Sequence, residues 1–242
     1  MPESVVLLHG FSGTRHAWDG VTALLDPQRY TAVALDLPGH GGAGDCERPI
    51  TFDACVARVL EQAPERFVLC GYSLGGRVAL HVALAAPERV RRLVLVSASP
   101  GIEDAAERAR RRAHDERLAG ELEQEPFEQF IERWRTQPLF GGEPPEVGRL
   151  AREDQRRNSP SALAAALRGL GTGEMAPLWE RLGELNMPVT VLVGERDEKY
   201  TGLGRRTVEL LGNGELVLAA GGHGLVLENP AAVAAVIAKV HD

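Results

Sequence analysis

Three residues far apart in the chain, Ser73, Asp197 and His223, have the types needed to turn a serine into a reactive group. A serine hydroxyl is a weak nucleophile and a weak base until an imidazole accepts its proton, and the imidazole works best when a carboxylate fixes its tautomer. Ser73 lies in Gly71-Tyr72-Ser73-Leu74-Gly75, a G-x-S-x-G pattern that puts a serine on a sharp strand-to-helix turn. Asp197 follows the apolar run PVTVLVG, and His223 follows ELVLA. Taken singly these signals are weak, since glycine-rich turns, helix-capping aspartates and structural histidines are common. Their joint order, each just past a strand-like run, points to a catalytic triad.

His9-Gly10-Phe11 ends the first strand-like run, and the backbone N–H of Phe11 can join that of Leu74 as a pair of donors to a developing oxyanion. Asp36-Leu37-Pro38-Gly39-His40-Gly41 reads as a tight structural turn, His40 included. Asp45 and Asp53 lack the spacing of metal ligands and no His/Cys cluster supplies it, so neither a metal nor a cofactor is expected. Arg77 stands one helical turn beyond Ser73, where ester hydrolysis needs no cation. A guanidinium there can fork onto a carboxylate, and an isolated buried one would cost several kcal/mol, so the elbow suggests an anionic substrate.

The elements that must position these groups alternate. Residues 4–8, 30–35, 67–70, 92–96, 188–194 and 215–219 are short apolar, β-branched runs that read as buried parallel strands. Thr51 caps a helix through Ala63, a second helix follows the serine turn until Pro87, and an alanine-rich helix starts at Pro230. Such alternation predicts an α/β fold with a mostly parallel sheet flanked by helices. From residue 100 to about 182 the sequence is charged and helical with no strand-like run. The expected organisation is a core of residues 1–99 and 183–242 with a helical cap at 100–182.

At 242 residues the chain fits one such domain with an insertion. No apolar run approaches the roughly 20 residues that span a bilayer, and residues 1–10 carry an acid and run into a strand rather than forming a signal peptide. The expectation is a cytoplasmic protein. Cys46, Cys55 and Cys70 read as thiols. A net charge of −7 disfavours nucleic acid or an anionic membrane as partner, yet 13 of the 25 arginines fall between residues 100 and 182. Most of these read as solvated faces paired with neighbouring acids.

HGFSG at 9–13, DLPGHG at 36–41, GYSLGGR at 71–77, ERARR at 107–111, WRTQPLF at 134–140, LRGLGTG at 167–173, GERDEK at 194–199 and GGHGLVLENP at 221–230 together resemble the MenH family. Its members are 2-succinyl-6-hydroxy-2,4-cyclohexadiene-1-carboxylate synthases of menaquinone biosynthesis, with the α/β-hydrolase fold. The resemblance spans the whole chain. It implies a 2,5-elimination of pyruvate from a cyclohexene that bears carboxylate, succinyl and enolpyruvyl groups, a small-molecule polycarboxylate. It also implies roles: Ser73 and His223 as proton-abstracting base, Asp197 as orienter, and Phe11 and Leu74 amides as oxyanion donors. Arg77, Arg111 and, in the RRN segment, Arg156 in preference to Arg157 would bind substrate carboxylates, with Tyr72 and Trp134 lining the pocket. The alternatives are a carboxylesterase or carbon–carbon bond hydrolase of the same fold, and a non-catalytic receptor or scaffold. The sequence leaves the oligomeric state open.

Overall fold

The computed structural model describes residues 2–239. Six strands, β1 (Glu3–Leu8), β2 (Tyr30–Leu35), β3 (Phe67–Tyr72), β4 (Val90–Val96), β5 (Val189–Gly194) and β6 (Gly214–Ala219), form one sheet in the order β2-β1-β3-β4-β5-β6. Every pairing is parallel. Parallel strands need helices on both faces, so both faces must be apolar. Val6 and Leu8 of β1 with Phe67 and Leu69 of β3 enter one core cluster. The alternate residues Val5, Leu7, Val68 and Cys70 enter the other. This period-two division is the pleat expressed as packing.

The crossover helices are α1 (Asp19–Thr22), α2 (Phe52–Gln62) and α3 (Leu74–Ala85). Thr51 Oγ1 accepts a hydrogen bond from the Ala54 N–H at 3.1 Å, an N-cap of the kind that contributes about 1 kcal/mol. Four helices lie between β4 and β5: α4 (Ala105–Gln124), α5 (Phe127–Arg135), α6 (Pro145–Gln155) and α7 (Pro160–Leu170). They carry their own apolar cluster of Leu118, Leu122, Phe130, Leu163 and Leu167. Met175, Leu178, Trp179 and Leu182, at the end of the segment read from sequence as cap, pack instead into the cluster beneath the sheet. Their return is pinned by Leu178 N–H donating to Pro100 O at 2.7 Å and Trp179 Nε1 donating to Gly101 O at 2.9 Å. The chain ends with α8 (Glu198–Leu210), α9 (Leu225–Glu228) and α10 (Pro230–Ile237).

β1 has β2 on one side and β3 on the other, so the crossovers after β1 and β2 depart in opposite directions. A crevice opens at such a switch point, outside the carboxyl ends of the strands. Among the described residues no helix is long and apolar enough to cross a membrane. Cys46, Cys55 and Cys70 are free thiols.

Candidate active site

Ser73 joins β3 to α3 with φ 51° and ψ −107°, outside the ordinary regions for a residue with a side chain. The surrounding glycines permit this. A Cβ on Gly75 would come within 2.1 Å of Leu8 O, and one on Gly71 within 2.3 Å of Gly75 O. The turn is held by Ser73 N–H donating to Val96 O at 2.9 Å, and it leaves the hydroxyl at the top of the sheet.

His223 Nε2 lies 3.2 Å from Ser73 Oγ, and His223 Nδ1 lies 2.7 Å from Asp197 Oδ2. The sequence-predicted triad is thus assembled from the ends of β3, β5 and β6. Both partners are buried, with His223 3% and Asp197 6% exposed. Asp197 also caps α8, its Oδ1 accepting from Tyr200 N–H. The two loops press together: Arg196 N–H donates to Gly221 O at 3.0 Å, and Glu228 takes the Gly222 N–H at 3.0 Å while pairing with Arg196. The Tyr72 and Tyr200 rings flank the imidazole at 5.5 and 4.6 Å. Burial raises the pKa of both phenols, so both remain neutral donors at ordinary pH.

The N–H groups of Phe11 and Leu74 donate to no acceptor among the described residues. Leu74 opens α3, where the helix dipole adds positive potential. The loop carrying Phe11 is fixed from two sides. His9 is fully buried and its Nε2 accepts the Leu37 N–H at 3.0 Å, while Nδ1 lies 2.8 Å from Gly10 O. From α6 and the turn beyond it, Asp154 accepts the Thr14 N–H at 2.8 Å, Gln155 Nε2 donates to Ser12 Oγ at 2.8 Å, and Asn158 Nδ2 donates to Ser12 O at 2.8 Å. His40 is the structural residue expected from its turn: it is buried against His9 and Phe11, and burial brings its pKa down to about 3.

A chamber of about 270 Å³ lies over Ser73 between core and overlying helices. Phe11, Ser73, Leu74, Arg77, Lys199 and Tyr200 line it from below, and Arg111, His114, Leu118, Trp134, Gln137 and Leu167 from above. Arg77 is 8% exposed and donates from Nη1 to Leu170 O at 3.0 Å. No carboxylate pairs with it among the described residues, and desolvation, reinforced by the nearby Arg111 charge, brings its pKa down to about 10. It remains a cation at neutral pH, and a buried guanidinium without a paired carboxylate has the charge and donors to hold an anion. Arg111 reaches the same chamber, its Nε donating to Asp115 Oδ1 at 2.8 Å.

Arg156 does not join them. Its guanidinium makes a two-point contact with Glu128 at 2.8 and 2.9 Å on the outside of the overlying helices. Arg157 is likewise exposed and lies 3.7 Å from Asp154. The two arginines follow α6, and the turn there points its shorter polar neighbours, Asp154, Gln155 and Asn158, toward the Phe11 loop instead. Trp134 is in the chamber wall, 5.1 Å from the Phe11 ring. Tyr72 lies behind that wall, against His223 and Gly10. Sequence reasoning assigned nothing to Tyr200, Lys199, His114 or Gln137. The first two directly follow the GERDE segment that supplies Asp197, which is the signal that could have flagged them.

Comparison with known proteins agrees with this geometry. The Alpha/beta hydrolase family matches residues 5–236. A 2-succinyl-6-hydroxy-2,4-cyclohexadiene-1-carboxylate synthase from Klebsiella pneumoniae is 34% identical over 98% of this chain and 92% of its own length. The synthase of that name from Salmonella typhimurium is 32% identical over 98% of this chain and 93% of its own. The structure of MenH from S. aureus superposes with a TM-score of 0.90 at 31% identity, covering 97% of this chain and 91% of that one. The chain therefore belongs to the alpha/beta hydrolase family and, within it, to the 2-succinyl-6-hydroxy-2,4-cyclohexadiene-1-carboxylate synthases.

Proposed function

We propose that this enzyme is a menaquinone-biosynthesis lyase that eliminates pyruvate from 2-succinyl-5-enolpyruvyl-6-hydroxy-3-cyclohexene-1-carboxylate. The observation that carries the reading within this fold is the pairing of a triad with Arg77, a buried cation that has no carboxylate of its own. A hydrolase of neutral esters has no use for that charge, and a non-catalytic scaffold has no use for the triad.

The ring C2–H is acidified by the adjacent succinyl carbonyl. Ser73, with its proton shared to His223 Nε2, removes that proton, and Asp197 holds the imidazole in the tautomer that can accept it. The electron pair of the C–H bond becomes C2=C3, the ring double bond moves to C4=C5, and the C5–O bond breaks to release enolpyruvate, which takes up a proton to become pyruvate. Negative charge that develops on the succinyl oxygen is met by the Phe11 and Leu74 amides. Water is not a reactant. Arg77 and Arg111 bind substrate carboxylates, and Trp134 and Tyr200 shape the chamber. On this reading residues 100–182 act as a cap over a core of 1–99 and 183–242, the substrate is a small polycarboxylate, and the enzyme works in the cytoplasm.

The test is pyruvate release from that substrate, with a short-chain p-nitrophenyl ester run in parallel. Pyruvate without ester cleavage is the expected result, and Ser73→Ala lowers kcat by about 10²- to 10⁴-fold. Ester cleavage without pyruvate would replace the lyase with an anion-tolerant hydrolase.

A further inference from the structure

Three buried side-chain atoms without a hydrogen-bond partner, Arg135 Nε, Glu143 Oε1 and Gln155 Oε1, belong to residues lining one small side chamber of about 50 Å³. Phe11 and Trp134 line both this chamber and the one over Ser73. Arg135 and Glu143 form an ion pair in which each side chain is only 7% exposed. The guanidinium stacks 3.8 Å above the Phe140 ring, and Phe140 is in turn 6.3 Å from His223.

This pair is a poor device for stability. Burying two charges is repaid only when geometry is good and the leftover donors and acceptors are satisfied, and an apolar pair of similar volume is often at least as stable. Here one donor and one acceptor are left over. Glu143, moreover, sits after Gly141-Gly142, with Gly142 at φ 75°, between a short 3-10 turn at Pro138–Phe140 and the start of α6. Its carboxylate hangs on a glycine tether, whereas Arg135 ends a regular helix. The cation is anchored on a helix, whereas its anion is carried by a glycine turn whose backbone has more conformational freedom.

We propose that Arg135 is a further substrate-binding residue, held by Glu143 until a carboxylate of the substrate displaces that side chain. This rests on the polycarboxylate reading above. The main chamber offers Arg77 and Arg111 for two carboxylates, and the side chamber offers Arg135 for a third. Exchange of one carboxylate for another leaves the buried charge balance unchanged, and the unused Arg135 Nε supplies the second point of a two-point contact.

The prediction has an unusual sign, because removing a buried charge should improve binding. Glu143→Gln lowers KM for pyruvate release about threefold or more, since the competing carboxylate is gone. Arg135→Met/Glu143→Gln, a neutral replacement that leaves no unpaired charge, raises KM about 10- to 100-fold while kcat moves far less and Tm stays within about 3 °C. Arg135→Lys on the Glu143→Gln background recovers part of the affinity. If well-folded Glu143→Gln has an unchanged or higher KM, the proposal is wrong; if that variant does not fold, a double-variant KM within about twofold of wild type overturns it equally. Thermal-shift titration with tricarballylate, a plain tricarboxylate, reads the clamp apart from the reaction. Tighter binding by Glu143→Gln and weaker binding by the double variant, without pyruvate release from wild type, would keep the clamp and discard the reaction. Equal binding by all three, with normal pyruvate release, would do the reverse.

Discussion

Arg77 and Arg156 stand in opposite electrostatic situations, and the contrast runs through the whole molecule. Arg77 is buried in the first turn of the helix that follows Ser73, and among the described residues the one hydrogen bond of its side chain is to the Leu170 carbonyl. The arginines on the outside of the overlying helices are matched to acids: Arg156 to Glu128, Arg168 to Glu116 and Glu123, Arg133 to Glu121 and Glu125, Arg149 to Glu153. An exposed pair contributes little, because water already screens both charges and two long side chains must be held still. The lesson is that arginine density marks the surface of the overlying helices, and burial without a paired carboxylate sets Arg77 apart.

Replacing Arg77 with Met is the strongest way to break this contrast. The expected outcome is a loss of about 10²- to 10³-fold in kcat/KM for the polycarboxylate substrate with no loss of folding, since a costly buried charge is removed. Steady-state pyruvate release and a thermal melt decide it, and unchanged kinetics would leave Arg77 without a purpose.

Acid sharpens the contrast through stability. His9 and His40 are fully buried and burial lowers both pKa values, that of His40 to about 3. Below the unfolded value of about 6.5 the unfolded chain binds protons that the native state refuses. Stability is therefore complete above that pH and is lost as pH falls toward 3, at up to about 1.4 kcal/mol per unit for each histidine. Outside, Arg156 and Arg168 hold the carboxyls of Glu128 and Glu123 below their ordinary value, so those pairs fail only in stronger acid. Urea unfolding should show a drop of about 2 to 4 kcal/mol between pH 7 and 5, arising beneath the overlying helices rather than on their exposed faces. A flat profile over that range would contradict the assignment. The smallest effect is expected at the control position: Arg156→Ala changes KM by less than about twofold and Tm by about a degree.

Much of the architecture is legible in the residues themselves. Runs such as VVLL and VTVLV are too short and too β-branched for helices, and the glycines around Ser73 fit one turn. The triad follows because its members stand at strand ends, where a parallel sheet gathers them. Arg156 misleads for a physical reason: sequence places a residue on a segment, while the rotation of the last turn of a helix decides which side chain faces inward. At α6 the inward positions fall to Asp154 and Gln155, and the long cation at the next position turns to water. Tyr200 and the Arg135–Glu143 pair escape notice because their significance is relational. Each depends on a partner supplied by a distant element, His223 for one and a glycine turn for the other.

The hydrogen bonds from Asp154, Gln155 and Asn158 to the Phe11 loop carry a consequence for motion. Asp154 and Asn158 hold the amides of Thr14 and Gly41, which belong to the core, yet both acceptors belong to the inserted segment. Displacing that segment would strip these two core amides of their acceptors and remove support from the loop that presents Phe11. The inserted residues are therefore a brace for the core turns as well as a roof over the chamber.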